Sequence, residues 1–442
     1  MMALYDRLYG KIEFPTMVEQ VLDCPGLLRL RRVGQANIPF ARFPSFAYTS
    51  RYEHSLGVCY LAGITARKMD LSVKDETELM LACLYHDIGT PPFAHATEEV
   101  LQDMYGFNHE TQLQNLILGR TSDIAKDKTP VYLRRGMHLQ RICQSAKARA
   151  NRIDLYRIAD IITGNDKMLS PLVKSTGMDL DNIDNVLRAV SAMGIMKVDS
   201  SLPISLASSF SMEQGEIVYE VTGIPDFLVW QGARRKLYSA IFEDIEDFSY
   251  QAMIKMAIRY WLSEEGEPTT CWNLTDEQMF LKLLNNKKSQ YLTERFLLLK
   301  PYQCQCMIYI SFPISTHYKK ASNWIKTINA DIIRMNEELS DHKMEGQPEI
   351  LFNYYADKRD RNLGINVSLN GYYKPSEEDR GGYYIAFFVK GKSSSRYDKN
   401  CSKNQEINAY IDTIVNQLTL GFDTEELIRE GKQKCNFKNG MV

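Results

Sequence analysis

The sequence has little of several features that define classes of protein. Its 53 lysines and arginines nearly balance 55 aspartates and glutamates, and the net charge of −2 gives no basis for general nucleic-acid binding. No run approaches the roughly 18–20 apolar residues of a membrane span, and charges stand where a signal peptide would be apolar. The nine cysteines form no C-x-x-C pair, which disfavours a disulfide framework or thiolate zinc site. We expect a cytoplasmic protein with no membrane segment.

The composition is that of a globular protein, with 44% hydrophobic and 24% charged residues among 442. This excludes a disordered, collagen-like or coiled-coil chain, and the length allows two or three domains. Apolar residues recur at helical spacing from residue 15 to about 260, whereas strand-like runs follow at 304–312, 350–355, 364–369 and 383–389. The pattern predicts a helical domain over residues 1–300 and an α/β domain of unknown role over 301–442.

Histidine is scarce and clustered. Of seven histidines, four lie between residues 54 and 109: His54, His86, His95 and His109. His95 stands three residues before Glu98, so both would share one face of a helix. An acid with an orienting carboxylate is one interpretation of this pair, and a structural helix residue is the other.

The doublet of His86 and Asp87 is the most informative pair. Gly89 and the following Pro91-Pro92 would end a helix there, so the doublet would lie at a helix end. Imidazole beside carboxylate suits Mn, Fe, Zn or Co and is acceptable for Mg. A single pair of this kind is a weak indicator by itself. Several later carboxylates could complete a site: Asp154, Asp160, Asp166 and Asp181.

Four separated motifs together resemble the deoxynucleoside triphosphate triphosphohydrolases, a group of HD-domain phosphohydrolases. The motifs stand in that group's order: LRLRRVGQ at 28–35, SRYEHSLG at 50–57, HDIGTPPFAH at 86–95 and NHE at 108–110. The resemblance covers roughly residues 10–260. It implies a mostly α fold, in which a helical HD-domain core carries a smaller C-terminal α/β appendage.

The resemblance also implies roles for individual residues. One divalent ion (Mn, Mg, Fe, Co or Zn) would be held by His54, His86, Asp87 and Asp181, because DLDNIDNVLRA at 179–189 fits the family's last motif without a gap. The implied proton donor is His95, oriented by Glu98 and supported by His109. The implied substrate-binding residues are Gln35, Arg51, Asn182, Asn185 and Arg234.

Three positions depart from the family pattern. Asn182 stands where the family usually has Lys or Arg, Asn185 where it has Tyr, and Ala189 where it has Asp. Our leading hypothesis is a metal-dependent nucleotide phosphohydrolase that converts a dNTP to deoxynucleoside and tripolyphosphate, acting as a homo-oligomer. Because of the departures, an HD phosphohydrolase for another nucleotide or phosphoester stays open, as does a nucleotide-sensing regulatory subunit without turnover.

Overall fold

In a computed structural model of the chain, the described residues fall into thirteen ranges. They are residues 3–38, 42–107, 109–118, 152–175, 177–242, 244–265, 271–339, 346–357, 365–368, 371–373, 380–390, 402–429 and 432–433. Contacts divide the chain into two units. Unit 1 comprises Met1–Leu237, Glu267–Met279 and Leu363–Pro375, and unit 2 comprises Tyr238–Gly266, Phe280–Asn362 and Ser376–Val442.

Helices dominate the N-terminal part of the chain. They are α1 (Thr16–Glu19), α2 (Pro25–Arg29), α3 (Pro44–Ala47), α4 (Arg51–Lys68), α5 (Val73–Tyr85), α6 (His95–Tyr105), α7 (His109–Ile117), α8 (Leu155–Thr163), α9 (Ser170–Val173), α10 (Leu180–Ala192), α11 (Ser201–Ser208) and α12 (Ile224–Phe242). The strands of unit 1 are β1 (Leu4–Asp6), β2 (Gly10–Ile12), β3 (Phe210–Glu213), β4 (Glu216–Tyr219), β7 (Ile365–Val367) and β8 (Gly371–Tyr373).

The helix α4 is central to unit 1, and its start is defined by its sequence. Ser50 accepts a hydrogen bond from the Glu53 N–H, and the Glu53 carboxylate accepts one from the Ser50 N–H. This capping box satisfies two donors that have no partner within the helix. Two side chains on the buried faces, Val58 and Leu61, are completely covered. The first turn of α4 is therefore a fixed platform for the side chains it carries.

Strands β3 and β4 interrupt a region that we predicted to be helical. They pair as an antiparallel hairpin from Phe210 opposite Tyr219 to Glu213 opposite Glu216. Gln214 and Gly215 join them, both with positive φ, which suits a tight two-residue hairpin turn. The region is predominantly helical, as predicted, and this hairpin is a local exception. The four-stranded sheet has the order β3-β4-β7-β8.

Unit 2 is built around a five-stranded antiparallel sheet. The order is β11-β10-β5-β9-β6, formed by β5 (Gln303–Pro313), β6 (Ile350–Asp357), β9 (Arg380–Val389), β10 (Asp423–Arg429) and β11 (Lys432–Gln433). The remaining helices are α13 (Ile245–Glu265), α14 (Asp276–Asn285), α15 (Gln290–Leu297), α16 (Ile314–Leu339) and α17 (Ser402–Gly421). One core joins Ile308 and Ile385 of the sheet to Ile328 of α16 and Ile411 of α17.

The mostly α architecture with a smaller sheet-containing C-terminal region is confirmed. Between the first two strands of this region lies the long helix α16, from Ile314 to Leu339. Residues 238–266 and 280–300 group by contacts with the C-terminal sheet, so a domain boundary at residue 300 stays a prediction. Within the described ranges, every helix is too short or too polar to cross a membrane.

Candidate metal centre

Two helix ends present the candidate histidines. His54 lies in the first turn of α4, and His86 directly follows α5 as its C-terminal cap. The chain then turns, with Ile88 N–H donating to Tyr85 O and Thr90 N–H donating to Asp87 O. The helix therefore ends at the doublet, as the glycine and prolines after it predict.

Three donor atoms from separate parts of the chain meet here. His54 Nε2 lies 2.9 Å from Asp181 Oδ1, and His86 Nε2 lies 3.2 Å from His54 Nε2 and 3.6 Å from Asp181 Oδ1. Donors about 2.1 Å from one ion lie roughly 3 Å apart when they bind at right angles. Spacing and donor chemistry therefore fit one divalent ion.

Hydrogen bonds behind the two imidazoles leave the correct nitrogens available. His86 Nδ1 lies 2.7 Å from the Cys83 carbonyl oxygen and donates to it. His54 Nδ1 lies 2.8 Å from Asp184 Oδ1 and donates to that carboxylate. A neutral imidazole whose Nδ1 carries the proton has its lone pair at Nε2. Both rings therefore direct an acceptor nitrogen toward Asp181.

Asp87 borders this cluster and is paired with an arginine. Its Oδ2 accepts a hydrogen bond of 2.7 Å from Arg51 Nη1 and lies 3.5 Å from His86 Nε2. Burial raises the pKa of Asp87, but the charge of Arg51, together with those of His86 and His54 when these rings are protonated, outweighs burial and holds the pKa well below its usual value. Asp87 is thus an ionised donor that could join His54, His86 and Asp181 around a metal.

The charge on Asp184 is stabilised by Arg188, and the sequence assigned a role to neither of these two residues. Burial raises the pKa of this carboxyl, but Arg188 and the hydrogen bond with His54 lower it to about 2. Arg188 Nε and Nη2 donate to the two carboxylate oxygens, at 2.8 and 2.9 Å. Neither side chain is exposed. Their i, i+4 spacing in α10 was the available signal, since such a pair shares one helix face.

The hairpin of β1 and β2 completes the buried network. Tyr9 OH donates to Asp184 Oδ2 at 2.7 Å, and Arg188 Nη1 donates to Asp6 Oδ2 at 2.9 Å. The Arg188 guanidinium also lies over the Tyr9 ring, 5.7 Å from its centre. Groups behind a metal-binding histidine fix its orientation and raise its basicity. The hairpin near the N-terminus thus supports His54.

We expect Asp184→Asn to weaken metal binding by about 10- to 100-fold, the usual effect of losing a hydrogen-bond partner behind a ligand. Asparagine is neutral and no longer fixes the His54 tautomer by charge. Calorimetric titration of Mn²⁺ into the metal-free protein measures the change. Asp23→Asn, at an exposed position, is the control, and an unchanged dissociation constant in folded Asp184→Asn would refute this prediction.

His95 and Glu98, the predicted acid and its orienting carboxylate, are hydrogen-bonded to each other at the start of α6. His95 Nδ1 lies 2.8 Å from Glu98 Oε2, and the His95 side chain is 59% exposed. With Nδ1 donating to Glu98, Nε2 is the atom that can carry a transferable proton. His109 is the first residue of α7, and its side chain lies outside the described part of the structure.

Three predicted substrate-binding residues lie together. Gln35 Nε2 donates to Asn185 Oδ1 at 2.7 Å, and Arg51 Nη2 donates to the Gln35 carbonyl at 3.5 Å. Among the described atoms, Gln35 Oε1 and Arg51 Nε are buried without a hydrogen-bond partner. Such atoms can pair with a bound molecule. An acceptor and a donor are therefore available beside the metal-binding cluster.

The other two predicted contacts lie elsewhere on α10 and α12. The Asn182 side-chain amide donates to Asp179 Oδ1 at 2.8 Å, at the helix N-terminus. Arg234 is buried in α12, one turn beyond Trp230, whose Nε1 donates to the Asn182 carbonyl at 3.3 Å. Residues four apart share a helix face, so Arg234 lies on the face of α12 that meets α10. Contact of either residue with a substrate stays a prediction.

Comparison with known proteins agrees with this geometry. The HD-domain family matches residues 51–186. An uncharacterized protein of Methanocaldococcus jannaschii is 26% identical over 305 residues, covering 67% of this chain and 57% of that protein. The deoxynucleoside triphosphate triphosphohydrolase SAMHD1 of Bos taurus is 35% identical over 102 residues, which are 22% of this chain and 17% of that enzyme. The chain thus spans little more than half of one relative and a small part of the other.

A solved structure shows the same fold. The crystal structure of a phosphohydrolase from Bacteroides thetaiotaomicron superposes with a TM-score of 0.62, covers 88% of this chain and all of that one, and is 16% identical. A second, of a hypothetical protein from Aquifex aeolicus, has a TM-score of 0.57 at 18% identity, over 88% of this chain and 96% of that one. The chain therefore contains an HD domain at residues 51–186, has the fold of these two solved structures, and is similar over about 100 residues to a deoxynucleoside triphosphate triphosphohydrolase.

Proposed function

We propose that the protein is a metal-dependent phosphohydrolase that converts a dNTP to deoxynucleoside and tripolyphosphate. The observation that carries this proposal is the convergence of His54 Nε2, His86 Nε2 and Asp181 Oδ1, with both imidazoles held in the tautomer that binds metal. The partial match to the bovine triphosphohydrolase supports the choice of substrate class.

Each group near the cluster has a task in such a reaction. His54, His86, Asp181 and Asp87 would hold a divalent ion, which would supply Lewis-acid activation of a phosphate oxygen and of the attacking water. Arg51, with its unpartnered Nε, offers donors to phosphate oxygens. His95 holds a proton at Nε2 for the 5′-oxygen that leaves, and Glu98 keeps the ring oriented. We assign His109 a supporting role beside it.

The sugar would meet the pair of carboxamides. Because Gln35 gives an amide N–H to Asn185, its buried Oε1 is left to accept a hydrogen bond, which suits a hydroxyl of the substrate. Asn182 lies on α10, as Asn185 does. We propose that Asn182 and Arg234 contact the phosphates. Ala189 offers no polar atom where the family has an aspartate, so another nucleotide or phosphoester is the second candidate.

A screen of nucleotides by mass spectrometry tests the proposal. The purified protein is incubated with Mn²⁺ or Mg²⁺ and each dNTP, singly and in mixtures, since an allosteric enzyme can be inactive with one nucleotide. Deoxynucleoside with intact tripolyphosphate is the expected product. Inorganic phosphate alone would favour the second candidate. Turnover no higher than that of His86→Ala across the panel would overturn the enzymatic proposal.

Two features of the assembly belong to the proposal. We propose a homo-oligomer in the cytoplasm, as the resemblance implies, and mass measurement in solution tests the oligomer. Stabilisation by a nucleotide against heat without any turnover would instead indicate a nucleotide-sensing regulatory subunit, since a ligand that binds the native state raises its stability.

A further inference from the structure

The turn between the metal-binding doublet and His95 has an unusual backbone. Phe93 and Ala94 both have positive φ, +55° and +44°, and both are completely buried. Residues other than glycine hold this conformation only when their surroundings enforce it, and such residues often lie at functional sites. Ala94 directly precedes α6, whose first residue is His95. The backbone of this turn therefore determines where α6 begins and where His95 lies.

A carboxylate from a distant part of the chain holds this turn. Asp276 Oδ1 accepts a hydrogen bond of 3.0 Å from Phe93 N–H, and Asp276 Oδ2 accepts one of 2.8 Å from Gly34 N–H. Asp276 begins α14, where Thr275 and Gln278 exchange hydrogen bonds between side chain and backbone. The start of α14 is thereby fixed, and with it the carboxylate.

Arg29 ties the same segment to the other end of the turn. This completely buried guanidinium donates to the carbonyl oxygen of Leu274 at 2.8 Å, and to those of Ile88 and Thr90 at 3.1 and 2.6 Å. Residues 274–276 are thus connected to the stretch from 88 to 93 at both ends, directly at Phe93 and through Arg29 at Ile88 and Thr90. All of these residues belong to unit 1.

The two N–H groups that Asp276 binds precede two residues of the proposed site. Gly34 is adjacent to Gln35, and Phe93 lies two residues before His95. Burial raises the pKa of Asp276 to about 6, although the hydrogen bonds from Gly34 and Phe93 lower it. At neutral pH the carboxylate is therefore ionised, and both oxygens accept.

We infer that Asp276 is a positioning residue of the active site, whose single carboxylate sets the distance between substrate-binding Gln35 and the proton donor His95. The inference rests on the proposed function, in which His95 protonates the leaving oxygen. Asp276 touches neither substrate nor metal. It acts through the backbone of two loops, so its loss affects proton donation and leaves the metal-binding atoms in place.

Variants of Asp276 in the full-length chain test this inference. We expect Asp276→Ala to lower kcat for the dNTP by about 10- to 100-fold, because a small displacement of a catalytic group has an effect of this size, while its Mn²⁺ affinity stays that of the wild type. Asp276→Asn retains one acceptor and is nearly isosteric, so its kcat should lie between those of the wild type and Asp276→Ala. The control is Glu277→Gln, which loses only an exposed ion pair with Arg32.

A double variant separates positioning from general damage. In the His95→Ala background, Asp276→Ala should lower kcat by less than about 2-fold more, because residues that act through one another are not additive. A nitrophenolate leaving group needs no proton. Asp276→Ala should therefore lose far less activity on a substrate with this leaving group than on the dNTP. Full additivity, equal losses on both substrates or wild-type kcat in both Asp276 variants would overturn the inference.

Hydrogen exchange decides the inference even if no nucleotide is hydrolysed, in which case the proposed function alone would fail. Asp276→Ala should show faster exchange at both the Gly34 and the Phe93 amide, and Asp276→Asn, which keeps one acceptor, at one of the two, with Glu277→Gln unchanged. Faster exchange confined to the Asp276 variants supports a role in holding both loops, whichever phosphoester is the substrate. Unchanged exchange in folded Asp276→Asn would overturn the inference.

Discussion

Hydrolysis by His86→Ala is expected to fall by about 10³-fold or more, to the background rate. A bound metal contributes several kcal/mol to such a reaction, and each 1.36 kcal/mol is a factor of ten in rate. The loss removes one of three converging donor atoms and places nothing in its position. His86 also ends α5 through its bond to the Cys83 carbonyl and packs edge-on against the His54 ring, so the fold of the variant is checked by circular dichroism. Assay of dNTP turnover and titration of Mn²⁺ measure the two effects together.

The control for this prediction is a histidine outside the site. His317 lies in α16 of the C-terminal sheet region, and His317→Ala should retain both activity and metal affinity. Asp87→Ala should behave like His86→Ala. Turnover of His86→Ala close to that of the wild type would contradict the metal assignment itself, because the proposed reaction depends on His86 as a ligand.

Gly57→Ala is expected to destabilise the protein by about 3–5 kcal/mol, the usual result of breaking a buried ion pair. A methyl group at Gly57 would overlap the Asp184 carboxylate and lie 2.5 Å from Arg188 Nη2. Both partners are completely buried, so they have no free space to enter. For a chain of this size the loss corresponds to a fall of roughly 5 °C in Tm. Thermal unfolding followed by circular dichroism measures it.

The same helix provides a matched control. At Gly63 a methyl group would lie 3.1 Å from Met80 Cε, the end of a flexible side chain that can move aside. Alanine has a higher helix propensity than glycine by about 1 kcal/mol, so Gly63→Ala should change stability by no more than about 1 kcal/mol. Equal Tm values for Gly57→Ala and Gly63→Ala would show that Asp184 and Arg188 are not packed as described.

Local sequence signals predicted the elements that carry the site. The glycine and prolines that follow the doublet predicted the end of α5, and the cap at Ser50 and Glu53, although it was not among the predictions, also depends on interactions within a few residues. Short-range patterns of this kind are legible in a sequence. The bond between His95 and Glu98 is another example, since three residues on a helix bring two side chains together.

Contacts between residues far apart in the sequence could not be predicted from local patterns. Asp184 and Arg188 belong to the motif at 179–189, yet their function depends on His54, 130 residues from Asp184. Asp276 has no local feature that marks it as part of the site, because both of its partners are backbone N–H groups at remote positions. Backbone donors exist at nearly every residue, so no sequence pattern identifies which of them a carboxylate will reach.

The sequence by itself determined a mostly helical protein with a sheet-containing C-terminal region, and its motifs indicated which residue types would meet a metal. Only the tertiary structure decided how these atoms are held: which nitrogen each imidazole presents, what stabilises the charge behind His54, and which carboxylate holds the turn before His95. The physical reason is distance along the chain. Helix spacing and caps follow from neighbouring residues, whereas the buried network exists only after packing brings the N-terminal hairpin, α4, α10 and the start of α14 together and excludes water from between them.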